Sequence, residues 1–172
     1  LKRSNLDPSD KRVLHFSAER PFFHQWKHNP KYVAGDIKRS AVANAVVDIT
    51  ALTYPDNEFD VIVCNHVLEH VQEDAKGMAE CYRVMKPDGV GIFSVPMDVT
   101  AEETWNPPPG TPQAEIERIC GRTHVRQYGL DFPKLLASHG FVAEEILFSP
   151  EENERHRLAA EKVYVVRKPV AS

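Results

Sequence analysis

The sequence predicts an α/β fold, a mostly parallel sheet flanked by helices, and three observations predict it. Short apolar runs rich in Val and Ile recur along the chain, most of them bounded by turn-forming residues. Near-continuous runs of this kind are what strands buried on both faces of a parallel sheet require. Most of the stretches between them are long enough for a crossover, and one carries an unbroken helical pattern.

KRVLHFSA, at 11–18, follows the turn-like Asp7-Pro8-Ser9-Asp10 and places Val13, Leu14 and Phe16 in a first buried strand. KYVAGDI at 31–37 and AVVDIT at 45–50 read as the second and third strands, each with an Asp at or near its end. The link between them is about eight residues, too short for a full crossover helix, so a turn is expected there. Tyr54-Pro55-Asp56-Asn57 announces a fourth strand, EFDVIVCN, at 58–65. In QEDAKGMAECYRVMKP, at 72–87, Ala75, Met78, Ala79, Tyr82 and Met85 fall at helical spacing, and Lys86-Pro87-Asp88-Gly89 reads as the helix stop. GVGIFSVP, at 89–96, is the fifth strand.

Between Met97 and Gln127 the periodicity fails. Trp105 and the run Pro107-Pro108-Pro109 make a stiff loop, followed by a short helix in QAEIERICG at 113–121. Asp131 is placed to cap a helix that starts at Phe132 and stops at Gly140, with Pro133 tolerated in its first turn. FVAEEILF at 141–148 and KVYVVRK at 162–168 are the last two strands, separated by the charged EENERHRLAAE at 151–161, read as helical or disordered. With 172 residues, no internal repeat and no composition break, the chain reads as a single domain over 1–172.

Charge and composition exclude several function classes. The net charge is −4 and no run of Lys or Arg exceeds a pair, so neither a nucleic-acid footprint nor an anionic-membrane footprint is expected, and a small-molecule partner fits better. Cys64, Cys81 and Cys120 are odd in number and lack C-x-x-C spacing, which points away from a disulfide framework and toward a reducing, cytoplasmic setting. No apolar run approaches the roughly 18 residues that span a bilayer, and the opening LKRSNLDPSDKR has no apolar signal core. The chain opens on Leu1 rather than Met, so residues upstream of it are an expectation.

In an open α/β sheet, ligands bind beyond the carboxyl ends of the strands near the first strand, and here those ends carry Ser17, Asp36, Asp48 and Asn65. An acidic residue closing the second strand can accept hydrogen bonds from both hydroxyls of a ribose, which is the role open to Asp36. Asp48 could accept from an exocyclic adenine amine. Either Asp could equally be there to start a turn.

LTYPDNEFDVIVCNHVLEHV, at 52–71, followed by ECYRVMKPDGVGIFSVP, at 80–96, resembles the third-to-fifth-strand region of class I S-adenosylmethionine-dependent methyltransferases of the type-11 subgroup. Members of that subgroup read LPFPDNSFDVV, then a His-x-Leu-x-His segment, then RVLKPGG. LHFSAE at 14–19 and THVRQYGLDFPKLLASHGF at 123–141 resemble a narrower branch that pairs LHFAPE after the first strand with DHVRVYG near the end. The resemblance implies a Rossmann-like seven-stranded sheet of order 3-2-1-4-5-7-6 and an S-adenosylmethionine site. That site would be formed by Phe16, Ser17, Ala18 and Glu19 in the first loop, Asp36 and Ile37, Asp48 and Ile49, and Asn65 and His66. It departs from the common pattern in one respect: the first loop, with His15, Ser17, Glu19 and Pro21, has no glycine. Glu19 could face the cationic amine of the methionine moiety instead, or could be a solvated helix start. A non-catalytic partner subunit with a degenerate cofactor loop is therefore the alternative to an enzyme.

HVLEH, at 66–70, also matches the inverted zinc-peptidase spacing His-x-x-Glu-His, with Glu144 or Glu145 available as a distant third ligand. That motif needs both imidazoles inside one helix, whereas His66 here follows directly on a strand. The zinc-hydrolase reading is accordingly the remote alternative, and no metal is expected. Methyl transfer from a sulfonium asks the protein for alignment, water exclusion and, for a hydroxyl acceptor, a base. The candidate catalytic residues are His66, His70 and Asp98 near the strand ends, and His124, Arg126 and Tyr128. The latter three point to one side if their segment is extended, with Arg126 suited to an anionic acceptor group. His24, His28, His139 and His156 read as surface or packing positions. The loop from 97 to 127 emerges on the same edge and is expected to form a lid over the acceptor.

Overall fold

Val13, Leu14 and Phe16 of the first expected strand lie at the centre of the sheet in the computed structural model of the protein, which describes residues 8–149, 151–152 and 162–170. The strands are β1 (Val13–Phe16), β2 (Tyr32–Asp36), β3 (Ala45–Val46), β4 (Phe59–Asn65), β5 (Met85–Ser94), β6 (Val142–Ile146) and β7 (Val163–Arg167). They form one seven-stranded sheet in the order β3-β2-β1-β4-β5-β7-β6, as expected from the sequence. Pairing is parallel from β3 through β5 and antiparallel where β7 lies between β5 and β6. The helices are α1 (Arg20–Trp26), α2 (Asp74–Val84), α3 (Gln113–Cys120) and α4 (Phe132–Ser138). None is long and apolar enough to cross a membrane.

Alternation along each strand sends side chains into two cores, one on each face. Leu14, Phe16, Ile62, Cys64 and Phe93 pack with Met78 of α2 and with Phe132 and Leu136 of α4. Val13, Ala34, Val61 and Val63 pack with Trp26 of α1 on the other face. This two-sided burial is why the sequence shows apolar runs instead of an apolar/polar alternation. Cys64, Cys81 and Cys120 are free and buried.

Four local expectations are corrected. The helical pattern counted Met85 as helix, but α2 ends at Val84 and Met85 opens β5 opposite Phe59. The register then jumps to Val61 opposite Val90, so Lys86 to Gly89 bulge out of the strand, with Asp88 at φ 60°. Met85 is fully buried in either assignment, and periodicity alone could not separate them. β3 is only two residues long, because the Asn44 side chain occupies the outer edge of β2. It accepts from the Ala34 amide at 2.8 Å and donates to the Tyr32 carbonyl at 3.1 Å. Asp131 does not cap α4, since its Oδ1 accepts from Thr104 Oγ1 at 2.6 Å. The strands at 141–148 and 162–168 are each shorter by their terminal residues. The short link after β2 carries no helix, as expected, and most of the charged stretch at 151–161 lies outside the described residues.

Candidate functional site

The carboxyl ends of β1, β2 and β4 and the segment after β3 open onto a cavity of about 480 Å³. Phe16, Ser17, Asp36, Ile37, Asp48, Ile49, His66 and His70 line it. So do Gly35, Val47, Thr50 and residues 71–73, which the sequence did not single out. Gly35 is there because of space: a Cβ on it would come within 2.9 Å of Val47 Cγ2. Only its invisible partner, Val47, makes that position special, so no sequence signal identifies it. Ile37 is 62% exposed at the mouth, an apolar side chain left uncovered beside the acidic Asp36.

The glycine-free first loop takes the backbone shape a glycine would supply. Ser17 sits at φ 46° and its amide donates to the Gly35 carbonyl at 2.8 Å, turning the chain sharply out of β1. Glu19, the residue preceding α1, makes no side-chain cap to the helix, and although 40% of its side chain is exposed, both carboxylate oxygens are bonded inward. Its Oε2 lies 2.7 Å from His15 Nε2, and its Oε1 accepts from Asn65 Nδ2 at 3.1 Å. Burial opposes ionisation of this carboxyl, and the bonds from His15 and Asn65 outweigh it, holding its pKa below the usual range. Ala18, Glu19 and Asn65 do not line the cavity, and Glu19 ties the end of β1 to the end of β4.

Both strand-end aspartates have a turn role as well as a place in the wall. Asp48 Oδ1 accepts from the Thr50 amide and hydroxyl, each at 2.8 Å, and those bonds lower its pKa. Asp36 Oδ1 accepts from the Lys38 amide at a longer 3.4 Å.

HVLEH does not form one helix. His66 leaves β4 at φ 52°, and only Leu68–His70 makes a single 3₁₀ turn, so the two imidazoles are not presented one α-helical turn apart. Glu144 and Glu145 sit on β6 at the far edge of the sheet, with Glu145 paired to Lys162, and cannot complete a zinc-peptidase set. Glu69 is 1% exposed, and neither carboxylate oxygen has a hydrogen-bond donor among the described residues. The ring nitrogens nearest to it are His66 Nδ1, 3.5 Å from Oε1, and His70 Nε2, 3.9 Å away.

The remaining catalytic candidates divide. His124 packs its ring edge-on to His70, 4.8 Å between centroids, and so reaches the rim of the cavity. Arg126 and Tyr128 do converge, but on Asp74 at the start of α2. Arg126 forms a buried ion pair with Asp74 and donates to the carbonyls of Val71 and Gln72, while the Tyr128 hydroxyl donates to Asp74 Oδ2 at 2.6 Å. Burial drives the Tyr128 phenol far above its ordinary pKa, with the Asp74 charge adding to it. These two groups are consumed in holding the 124–128 segment to α2, which corrects the expectation that they face an acceptor. Asp98 is exposed, lies off the cavity wall, and accepts from the hydroxyl and amide of Thr100, bonds that lower its pKa and make it a weaker base.

A methyltransferase-domain family model matches residues 16–93, from the end of β1 to the end of β5. A probable S-adenosylmethionine-dependent methyltransferase of Mycolicibacterium smegmatis is 31% identical over 101 residues, which is 58% of this chain and 35% of that protein. The matched stretches span 17% to 35% of the lengths of the curated relatives. The solved YcgJ protein of Bacillus subtilis superposes with a TM-score of 0.62 at 15% identity, over 95% of this chain and 94% of that one. A Burkholderia thailandensis 1,6-didemethyltoxoflavin-N1-methyltransferase, solved with 1,6-didemethyltoxoflavin and S-adenosylhomocysteine, gives 0.62 at 17% identity over 94% and 72%. At such identities the structural likeness speaks for the fold alone. The sequence similarity is to methyltransferases, over residues 16–93 in the family model and over 101 residues in the Mycolicibacterium smegmatis protein.

Proposed function

We propose that the cavity at the ends of β1 to β4 binds S-adenosylmethionine and that the protein transfers the methyl group to a small-molecule acceptor in a reducing, cytoplasmic setting. The observation that carries this reading is the composition of the wall. An acidic residue closes β2 at Asp36, flanked by uncovered Ile37 and by the apolar Phe16, Val47 and Ile49. A carboxylate beside flat apolar surface suits a nucleoside: Asp36 takes the ribose hydroxyls and the apolar side chains take the base. Bound there, the cofactor supplies an electrophilic methyl on a sulfonium that is its own leaving group.

The chain's part is placement and proton handling. His66 stands on the wall at the end of β4, where its imidazole is placed to take a proton from a hydroxyl acceptor. The left-handed backbone at Ser17 argues for this reading over a non-catalytic partner subunit, because the glycine-free loop retains the conformation that lets backbone approach a ligand. Calorimetric titration with S-adenosylhomocysteine tests it. Binding is expected, and Asp36→Ala should weaken it by about 10- to 100-fold, the worth of charge-assisted hydrogen bonds. No binding at millimolar ligand overturns it.

A further inference from the structure

We propose that Glu69, His70 and His124 form a divalent-cation site of the zinc type at the rim of the cavity. One ligand atom from each lies within 4.8 Å of the other two. The carboxylate contributes the strongest indication. Glu69 is 1% exposed, neither of its carboxylate oxygens meets a hydrogen-bond donor among the described residues, and buried carboxylates are typically paired or coordinate a metal. Arg126, next in sequence to Val125 whose amide bonds the Glu69 carbonyl, directs its terminal nitrogens to Asp74 and to the carbonyls of Val71 and Gln72, and no bond from it to Glu69 is present among the described residues.

Both histidines are prepared as ligands. The Nδ1 of His70 donates to the Thr123 carbonyl at 3.0 Å and the Nδ1 of His124 donates to the Cys120 carbonyl at 2.6 Å. Each neutral ring therefore presents an Nε2 lone pair, with His70 Nε2 3.9 Å from Glu69 Oε1. Metal-binding imidazoles are commonly fixed in this way, the second nitrogen bonded to a carbonyl. The two halves of the site come from distant parts of the chain and are fastened together by backbone: the Val125 amide donates to the Glu69 carbonyl at 2.8 Å. A cation at about 2.0–2.2 Å from each ligand requires only a modest closing of the three side chains. Two nitrogens and one carboxylate oxygen favour Zn²⁺ and neighbouring transition ions over Mg²⁺ or Ca²⁺, and a three-ligand set keeps a position open, as catalytic sites do. Since His70 also lines the cavity, that open position can take an oxygen of an acceptor.

The test uses the full chain after chelator treatment, titrated with Co²⁺ while its visible ligand-field absorption is followed, then with Zn²⁺ in competition. One equivalent of Co²⁺ displaced by Zn²⁺ is expected, with at least tenfold weaker binding in Glu69→Gln and in His124→Gln and no change in His24→Gln. Should Glu69→Gln fail to fold by circular dichroism, His124→Gln, at a partly exposed position, gives the decision. Absence of stoichiometric binding, or binding undiminished in the ligand variants, overturns the site. The methyltransfer reading is judged separately by S-adenosylhomocysteine titration of the same samples, so either can fail alone.

Discussion

Ser17 illustrates how a single residue can occupy a conformation its type disfavours. A left-handed backbone costs a non-glycine residue about 1–2 kcal/mol, part of which glycine would return through its greater freedom when unfolded. Ser17→Gly should therefore raise stability by up to about 1 kcal/mol in thermal denaturation and preserve cofactor binding; a fall in melting temperature would assign the hydroxyl a role the backbone does not explain. Arg126 makes the opposite case. Arg126→Ala strands the buried Asp74 carboxylate and should cost about 3–5 kcal/mol in urea unfolding, whereas Tyr128→Phe loses one hydrogen bond and should cost about 1–2 kcal/mol. Equal, small losses in both would mean that Asp74 is solvated. A sequence reader sees Arg and Tyr two residues apart in a pattern that suits ligand binding; only the position of α2 reveals that Asp74 has already taken them.

Between elements, the closest approach near the cavity is that of β2 to the segment after β3. Gly35→Ala places a methyl 2.9 Å from Val47 Cγ2, and with Val47 8% exposed there is nowhere to yield. The expected result is a loss of about 1–3 kcal/mol, as over-packing gives, together with weaker S-adenosylhomocysteine binding because the wall at Val47 shifts. The loop at 97–127 is the other element-scale question. Its ends are fastened: the Asp98 amide donates to the Tyr128 carbonyl at 2.8 Å, and Trp105 and Gln127 exchange backbone bonds at 2.8 and 3.0 Å. Between those ties Pro108, Pro109 and Gly110 are exposed, and the loop meets the cavity wall near its far end, where Thr123 and His124 contact His70. If the loop closes as a lid, limited proteolysis should cut within 106–112 in the free protein and be slowed by cofactor with acceptor. Equal cutting in both states would make the loop a fixed wrap with Trp105 as its anchor.

Across the whole molecule, carboxylates are held below their ordinary pKa by fixed partners. The bonds from Arg83 lower Glu80, against a smaller opposing effect of burial; for Asp60 burial is the largest influence and opposes ionisation, but Lys86 and the Arg12 amide outweigh it. Arg83 also donates to Asp56 and to the carbonyls of Leu52 and Tyr54, so these bonds fasten the β3–β4 connection onto α2. A lowered folded-state pKa means that the unfolded chain binds more protons at acid pH, so the stabilisation is complete near neutrality and is lost as pH falls. The loss should begin near the ordinary values of 4.5 for Glu80 and 3.8 for Asp60 and deepen below them. Urea midpoints measured from pH 7 to pH 3 should be level at first and then drop; a midpoint that rises on acidification would contradict these assignments.

The sequence by itself determined the strands and, through the resemblance its motifs carry, their order, and it singled out strand-end residues that the fold gathers around one cavity. Strands buried on both faces must be nearly all apolar, and the positions that close them are where polar residues can first appear, so Asp36, Asp48 and His66 were legible without coordinates. Element ends were less so, since Met85 is buried whether it finishes a helix or begins a strand, and Asn44 could replace a strand's hydrogen bonds only where folding brought it beside β2. The tertiary structure alone decided which polar groups remain available. Glu19 is taken by His15 and Asn65, and Arg126 and Tyr128 are taken by Asp74, while Glu69 is left buried beside His70 and His124 from the other end of the chain. Hydrogen bonds and charges act over a few ångströms of space, and 54 residues separate His70 from His124 along the chain, so no local pattern could have announced their meeting.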